Sequence, residues 1–132
     1  MRPALLACAA LIALPLSAQA SETKAPTGDW RVVLLGDIVT TAEDEVTLAF
    51  SADQISGRAG CNRYSADLRI ESEFGFGPLA MTRMLCEGRP GDLEAAFVRL
   101  IEGVDGWRIE GEVLELTAGE QVILRAESAG TP

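Results

Sequence analysis

The sequence predicts an α+β fold: a curved, partly open barrel-like antiparallel β-sheet packed on one amphipathic α-helix and stapled by one disulfide. Three observations carry this expectation. Short segments of alternating apolar and polar residues recur between glycine-rich or acidic turns. A single segment has helical apolar spacing. Two cysteines, Cys61 and Cys86, remain once an N-terminal leader is set aside.

That leader comes first in the chain. Met1-Arg2 is a short positive start, Ala4 to Leu14 is an apolar run, Pro15 breaks it, and Ala18-Gln19-Ala20 is a small-x-small cleavage pattern. Residues 1–20 are therefore expected to be a cleaved export signal. The apolar run is too short to span a bilayer, which takes about 20 residues. Cys8 sits ahead of most of the apolar run, the wrong order for lipid attachment. With the signal removed, Cys61 and Cys86 are left in an oxidising compartment, where pairing is expected. The bridge would close a loop of about 26 residues, worth about 3.5 kcal/mol in the chain-entropy account. As metal ligands two thiolates without His make an incomplete shell, and as a nucleophile either lacks a base.

Residues 21–27 are polar and read as a flexible leader, residues 28–127 as the folded domain, and 128–132 as a tail. Trp30 to Ile38 is a β-branched, aliphatic strand. Glu43-Asp44-Glu45 is an acidic, solvated turn, lacking the spaced ligands and glycine of a calcium loop. Val46, Leu48 and Phe50 then alternate with polar or small residues. Gln54 to Arg58 is a short strand running into Gly60. Asn62, Tyr64, Ala66, Leu68 and Ile70 share one strand face and Arg63, Ser65, Asp67, Arg69 and Glu71 the other, so Tyr64 should point inward and Arg63 outward. Phe74 to Pro78 is a glycine-punctuated bend.

The helix is expected from about Asp92 to Glu102. Leu93, Ala96, Phe97, Leu100, Ile101 and Val104 form one face, Asp92 suits the N-cap, and Gly103 or Gly106 ends it. Strands Trp107–Glu110, Val113–Thr117 and Gln121–Ala126 follow, joined by hairpin turns. The expected core is Trp30, Val32, Leu34, Leu48, Phe50, Tyr64, Leu68, Phe76, Phe97, Leu100, Ile101, Leu114, Leu116, Val122 and Leu124.

Composition narrows the chemistry. The 132 residues hold 11 basic and 20 acidic side chains, for a net charge of −9. Loss of Arg2 with the signal makes the rest more negative still. Such a surface repels nucleic acid and anionic membrane. There is no His, and the only Lys is Lys24, which removes His-based triads, His metal sites and lysine chemistry. Glu71 and Glu73 share a strand face, but nothing in the sequence raises the pKa of either, so they read as solvated rather than as an acid/base pair.

The segments Ser56-Gly57-Arg58-Ala59-Gly60-Cys61-Asn62-Arg63-Tyr64 and Gly77-Pro78-Leu79-Ala80-Met81-Thr82-Arg83-Met84-Leu85-Cys86 together resemble the paired signature of the META domain family of HslJ-like heat-shock and envelope proteins. The likeness runs from the Trp30 strand through Leu93-Glu94 to Leu114-Glu115-Leu116. Ala66, Leu85 and Glu87 depart from common family residues. The resemblance implies an exported α+β domain with a bridged cysteine pair, and it implies no reaction and no cofactor.

A Cys61–Cys86 bond would bring Asn62-Arg63-Tyr64 beside Thr82-Arg83-Met84. One reading is a binding site in which Arg63 and Arg83 form a fork for an anionic ligand or a partner's carboxylate. The plainer reading is that Asn62 and Thr82 satisfy turn backbone while the arginines pair with carboxylates such as Asp67. The expected function is a monomeric, non-enzymatic periplasmic or secreted module for stress tolerance, binding an envelope protein or small ligand. The alternative is a periplasmic inhibitor of a hydrolase. A protruding rigid loop near the disulfide would favour that alternative, and a sheet–helix cavity would favour the first.

Overall fold

The computed structural model describes residues 3–5, 7–15 and 24–130. Residues 3–5 and 7–15 carry no helix or strand and are exposed. Met1, Arg2 and the pattern Ala18–Ala20 lie outside the described residues. Among the described residues no helix is long and apolar enough to cross a membrane.

The α+β expectation holds. Strand β1 (Gly28–Leu35) is followed by β2 (Ile38–Val39), a short 3-10 turn (Ala42–Asp44), β3 (Thr47–Phe50), β4 (Gln54–Arg58), β5 (Arg63–Arg69), β6 (Gly75–Phe76) and β7 (Ala80–Met81). Helix α1 (Arg89–Ile101) comes next, then β8 (Gly106–Glu110), β9 (Val113–Ala118) and β10 (Gln121–Ser128). One open sheet has the order β6-β5-β4-β3-β1-β10-β9-β8, with β2 added beside β1 and β7 beside β5. Every pairing is antiparallel. The two ends of the sheet approach each other through Phe74 and Trp107, whose rings lie 6.3 Å apart.

Helix α1 buries Leu93, Ala96, Phe97 and Ile101 against the sheet, the stripe its spacing predicts. Phe97 is wholly buried, with its ring 4.7 Å from that of Tyr64. The helix begins at Arg89, not Asp92. Gly88 takes the N-cap position and Pro90 falls in the first turn, where a missing N–H costs nothing and the fixed φ suits the helix. Asp92 is therefore an acidic residue of the first turn, favourable there through the helix dipole.

Two core positions shift by one residue. Leu35 is fully buried where Leu34 was expected, and Ile123 is buried where Val122 was expected. The cause is the same at both. The register of β1 against β10 slips between Val32 and Leu34, and that of β10 against β9 slips between Val122 and Leu124. Each bulge adds a residue, so the inward set changes parity there. Leu68 and Leu100 are only partly buried, packed on the core's edge. Pro26, within the expected leader, is fully buried, so packing starts ahead of β1. Gly57 is required by closeness: a Cβ there would lie 2.2 Å from the Thr47 carbonyl oxygen.

The acidic turn is not merely solvated. Both Asp44 carboxylate oxygens accept from Arg89, at 2.7 and 2.8 Å, and the Thr41 N–H also donates to Asp44. Glu115, on the outer face of β9, is clamped by Arg108 at 2.6 Å and Arg125 at 2.8 Å and is buried. Hydrogen bonds from Arg89 hold Asp44, and those from Arg108 and Arg125 hold Glu115, below the usual carboxylate range. The unfolded chain therefore takes up protons first as the solution is acidified. The stabilisation is complete above the unfolded carboxylate pKa values of about 4 and is lost progressively below them. Denaturant titrations from neutral pH downward should show stability falling, with a shallower fall in Glu115→Gln; equal slopes would mean the clamp does not contribute.

Candidate functional site

The site is built where β4 turns into β5. Gly60, with φ +92°, makes the tight turn ahead of Cys61, and the Ala59 N–H donates to the Asn62 carbonyl at 2.9 Å. Cys61 is joined to Cys86, with Cα atoms 6.2 Å apart. The bond holds the segment after β7 against the start of β5.

Asn62 is buried, 3% exposed, and is the hub. Its Oδ1 accepts from the Met84 N–H at 2.7 Å and from Thr82 Oγ1 at 3.0 Å. Its Nδ2 donates to the Met84 carbonyl and to Glu94 Oε2, both at 3.2 Å. The other Glu94 oxygen accepts from the Asn62 N–H at 2.9 Å. These neighbours also fix the orientation of the amide, since the Met84 N–H needs an acceptor and the Glu94 carboxylate needs a donor. Thr82 completes the strap: its Oγ1 accepts from the Arg63 N–H and its own N–H donates to the Arg63 carbonyl, each at 3.0 Å.

Asn62 and Thr82 thus satisfy backbone, as the plainer reading had it. The ion-pair half of that reading fails. Asp67 accepts from Gln54, and among the described residues neither Arg63 nor Arg83 has an ion pair. Both are exposed. They line different clefts on either side of Thr82, Arg63 with Tyr64 and Ser65, and Arg83 with Asn62 and Met84. Tyr64 belongs to the core. It is 3% exposed, and its hydroxyl donates to the Thr47 carbonyl at 2.6 Å. Burial pushes that phenol far above its ordinary pKa.

The cleft beside Arg83 has a volume of about 510 Å³ and is also lined by Leu79, Met81, Leu85 and Glu94. Met84 is 56% exposed and Leu85 90%. Glu94 and Leu85 were not singled out as site residues from sequence. Glu94 enters there only as part of the family likeness, and Leu85 only as a departure from the family pattern. No periodicity tells that a residue is held out into water.

The Cys61 and Cys86 sulfurs and the Glu94 carboxylate converge within 4.8 Å. Joined sulfurs have no thiolate to offer a metal, and both Glu94 oxygens are taken by Asn62. The trio is a structural knot.

The META domain family model matches residues 23–130. Among solved structures, the chain is similar to an NMR structure of a protein from Burkholderia xenovorans, with 22% identity and a TM-score of 0.64 over 89% of this chain and 100% of that one. A second NMR structure is 23% identical, with a TM-score of 0.60 over 77% of this chain and 89% of that one. At this identity both establish the fold alone. No curated protein matches.

Proposed function

The chain belongs to the META domain family, and from that premise we propose that it is a non-enzymatic envelope module whose disulfide-anchored segment Thr82–Leu85 binds a protein partner. One contrast carries the reading. The Met84 and Leu85 side chains stand in water, while the Met84 backbone is latched on both its N–H and its carbonyl by a buried asparagine. Exposed apolar surface is worth about 25 cal/mol per Å² to whatever covers it, and a segment held rigid loses little entropy on docking. Arg63 and Arg83, which have no ion pair among the described residues of a strongly acidic chain, would select a partner with carboxylates at its rim. A protein fits better than a small ligand, because Met84 and Leu85, which line the cleft beside Arg83, are themselves largely exposed and leave it open to solvent.

Absence of His and the lone Lys24 support a non-enzymatic role. The leader pattern and the bridged cysteines support export, and the family resemblance supports a part in stress tolerance. Intact mass of the protein recovered from the envelope should begin at Ser21 without lipid; a retained Met1–Ala20 or acylation at Cys8 would overturn the export reading.

A second reading, inhibition of a hydrolase, draws on the same segment. It is a projecting, rigidly anchored loop next to the disulfide, and such loops enter enzyme clefts.

Capture from envelope extract on immobilised oxidised protein tests the first reading. Arg63→Ala with Arg83→Ala should leave stability within about 1 kcal/mol, as surface changes do, yet lose the partner that the parent protein retains. Equal capture by parent and variant would remove the arginines from the site.

A further inference from the structure

We propose that Thr82–Cys86 is a substrate-like loop for the active-site cleft of a serine endopeptidase with an apolar primary pocket, presenting the Leu85–Cys86 peptide bond. This rests on the inhibitor reading above and names its partner class and its reactive bond.

Residues 82–87 have no helix or turn and none has a positive φ, and Thr82 and Met84 bond to the successive residues Arg63 and Asn62, so the line of β7 runs on through Met84. In an extended strand, N–H and C=O groups point alternately to the two sides. Thr82 bonds inward to Arg63, and Met84 bonds inward to the Asn62 side chain, which stands in for the next residue of β5. The backbone groups of Arg83 and Leu85 are thereby turned outward, and among the described residues neither makes a hydrogen bond.

Peptidase clefts bind chains in this form. The enzyme adds an antiparallel strand to alternate backbone groups of the substrate and buries the side chain just before the scissile bond. Leu85 fits that position: it is apolar, 90% exposed, and carries free N–H and C=O groups. Arg83 would pair two residues upstream. Met84, between them, needs no bond from the enzyme because the scaffold already holds it.

A good substrate is cut and leaves, whereas an inhibitor must stay. Here the enzyme serine's oxygen would bond to the Leu85 carbonyl carbon as that carbon's bond to the Cys86 nitrogen breaks, with the serine proton passing through the enzyme's base to that nitrogen. Cys86 is tied to Cys61, and Met84 to Asn62, the very next residue. The freed amine therefore stays beside the acyl carbon. Its attack restores the peptide bond and returns the proton to the serine, at an effective concentration water does not match. The same clamps lower the entropy lost on binding.

The oxidised full-length chain should inhibit chymotrypsin and subtilisin, used as probes of apolar primary specificity, with one-to-one stoichiometry. Leu85→Gly should weaken inhibition at least about 30-fold, the effect of truncating an interface hot spot, with an unchanged melting temperature. Leu85→Lys should transfer inhibition to trypsin. Asn62→Ala, if it folds, should be cut at Leu85–Cys86 faster than the parent. Inhibition of neither probe, turnover at Leu85 at ordinary substrate rates, or inhibition indifferent to Leu85→Gly would each overturn the proposal. A partner captured from envelope extract through Arg63 and Arg83, with neither peptidase inhibited, would retain the binding module and discard the peptidase.

Discussion

Phe97→Ala should lower the free energy of unfolding by about 3–5 kcal/mol, the usual cost of emptying an aromatic site in a core. Phe97 is 0% exposed at the centre of the buried stripe of α1, and its ring meets that of Tyr64 at 4.7 Å. Truncation would leave a void between helix and sheet that stiff strand backbones on the facing side cannot close. It would also strip the packing from Tyr64, whose hydroxyl anchors β5 to Thr47. A domain of this size has only about 5–15 kcal/mol in hand, so the variant should be partly unfolded at physiological temperature. Urea denaturation followed by tryptophan fluorescence measures it. A loss below about 1 kcal/mol, the range of surface changes, would place Phe97 outside the core.

Cys61→Ser should cost about 2–5 kcal/mol, the range for removing a native bridge from a small secreted domain. The entropy of the closed loop is one part of this. The other is local: Cys86 ends the strap that Asn62 holds, so cutting the bond frees the Met84–Glu87 backbone from one of its two anchors. Partner capture should weaken along with stability. Thiol titration of the native protein, before and after denaturation, should find neither Cys61 nor Cys86 free. Two reactive thiols would remove the staple and, with it, the geometric basis of the loop.

The two substitutions probe different levels of legibility. Phe97 was readable because helical spacing repeats within a few residues. Of the expected face Leu93, Ala96, Phe97, Leu100, Ile101 and Val104, the helix buries Leu93, Ala96, Phe97 and Ile101, while Leu100 lies at the core's edge and Val104 is buried just past the helix end. Tyr64 inward and Arg63 outward were readable for the same reason, because a strand's period of two is set by covalent geometry. The bridge was readable from the cysteine count and the expectation of export. Leu34 and Val122 were misplaced because a bulge leaves no mark in side-chain periodicity; it belongs to the pairing of two distant strands.

Local periodicity and the cysteine count therefore carried the inward faces wherever no bulge intervenes, the fold class and the two segments that the cysteines join. The tertiary structure alone decided which polar groups meet. Glu94 reaches Asn62 across 32 positions of chain and Arg89 reaches Asp44 across 45, too far for any local pattern to encode. It also decided that Met84 and Leu85 project into solvent. An apolar residue outside periodic structure goes in or out according to whether the rest of the chain supplies a surface to cover it. Here the strap across Asn62 holds Leu85 where none does.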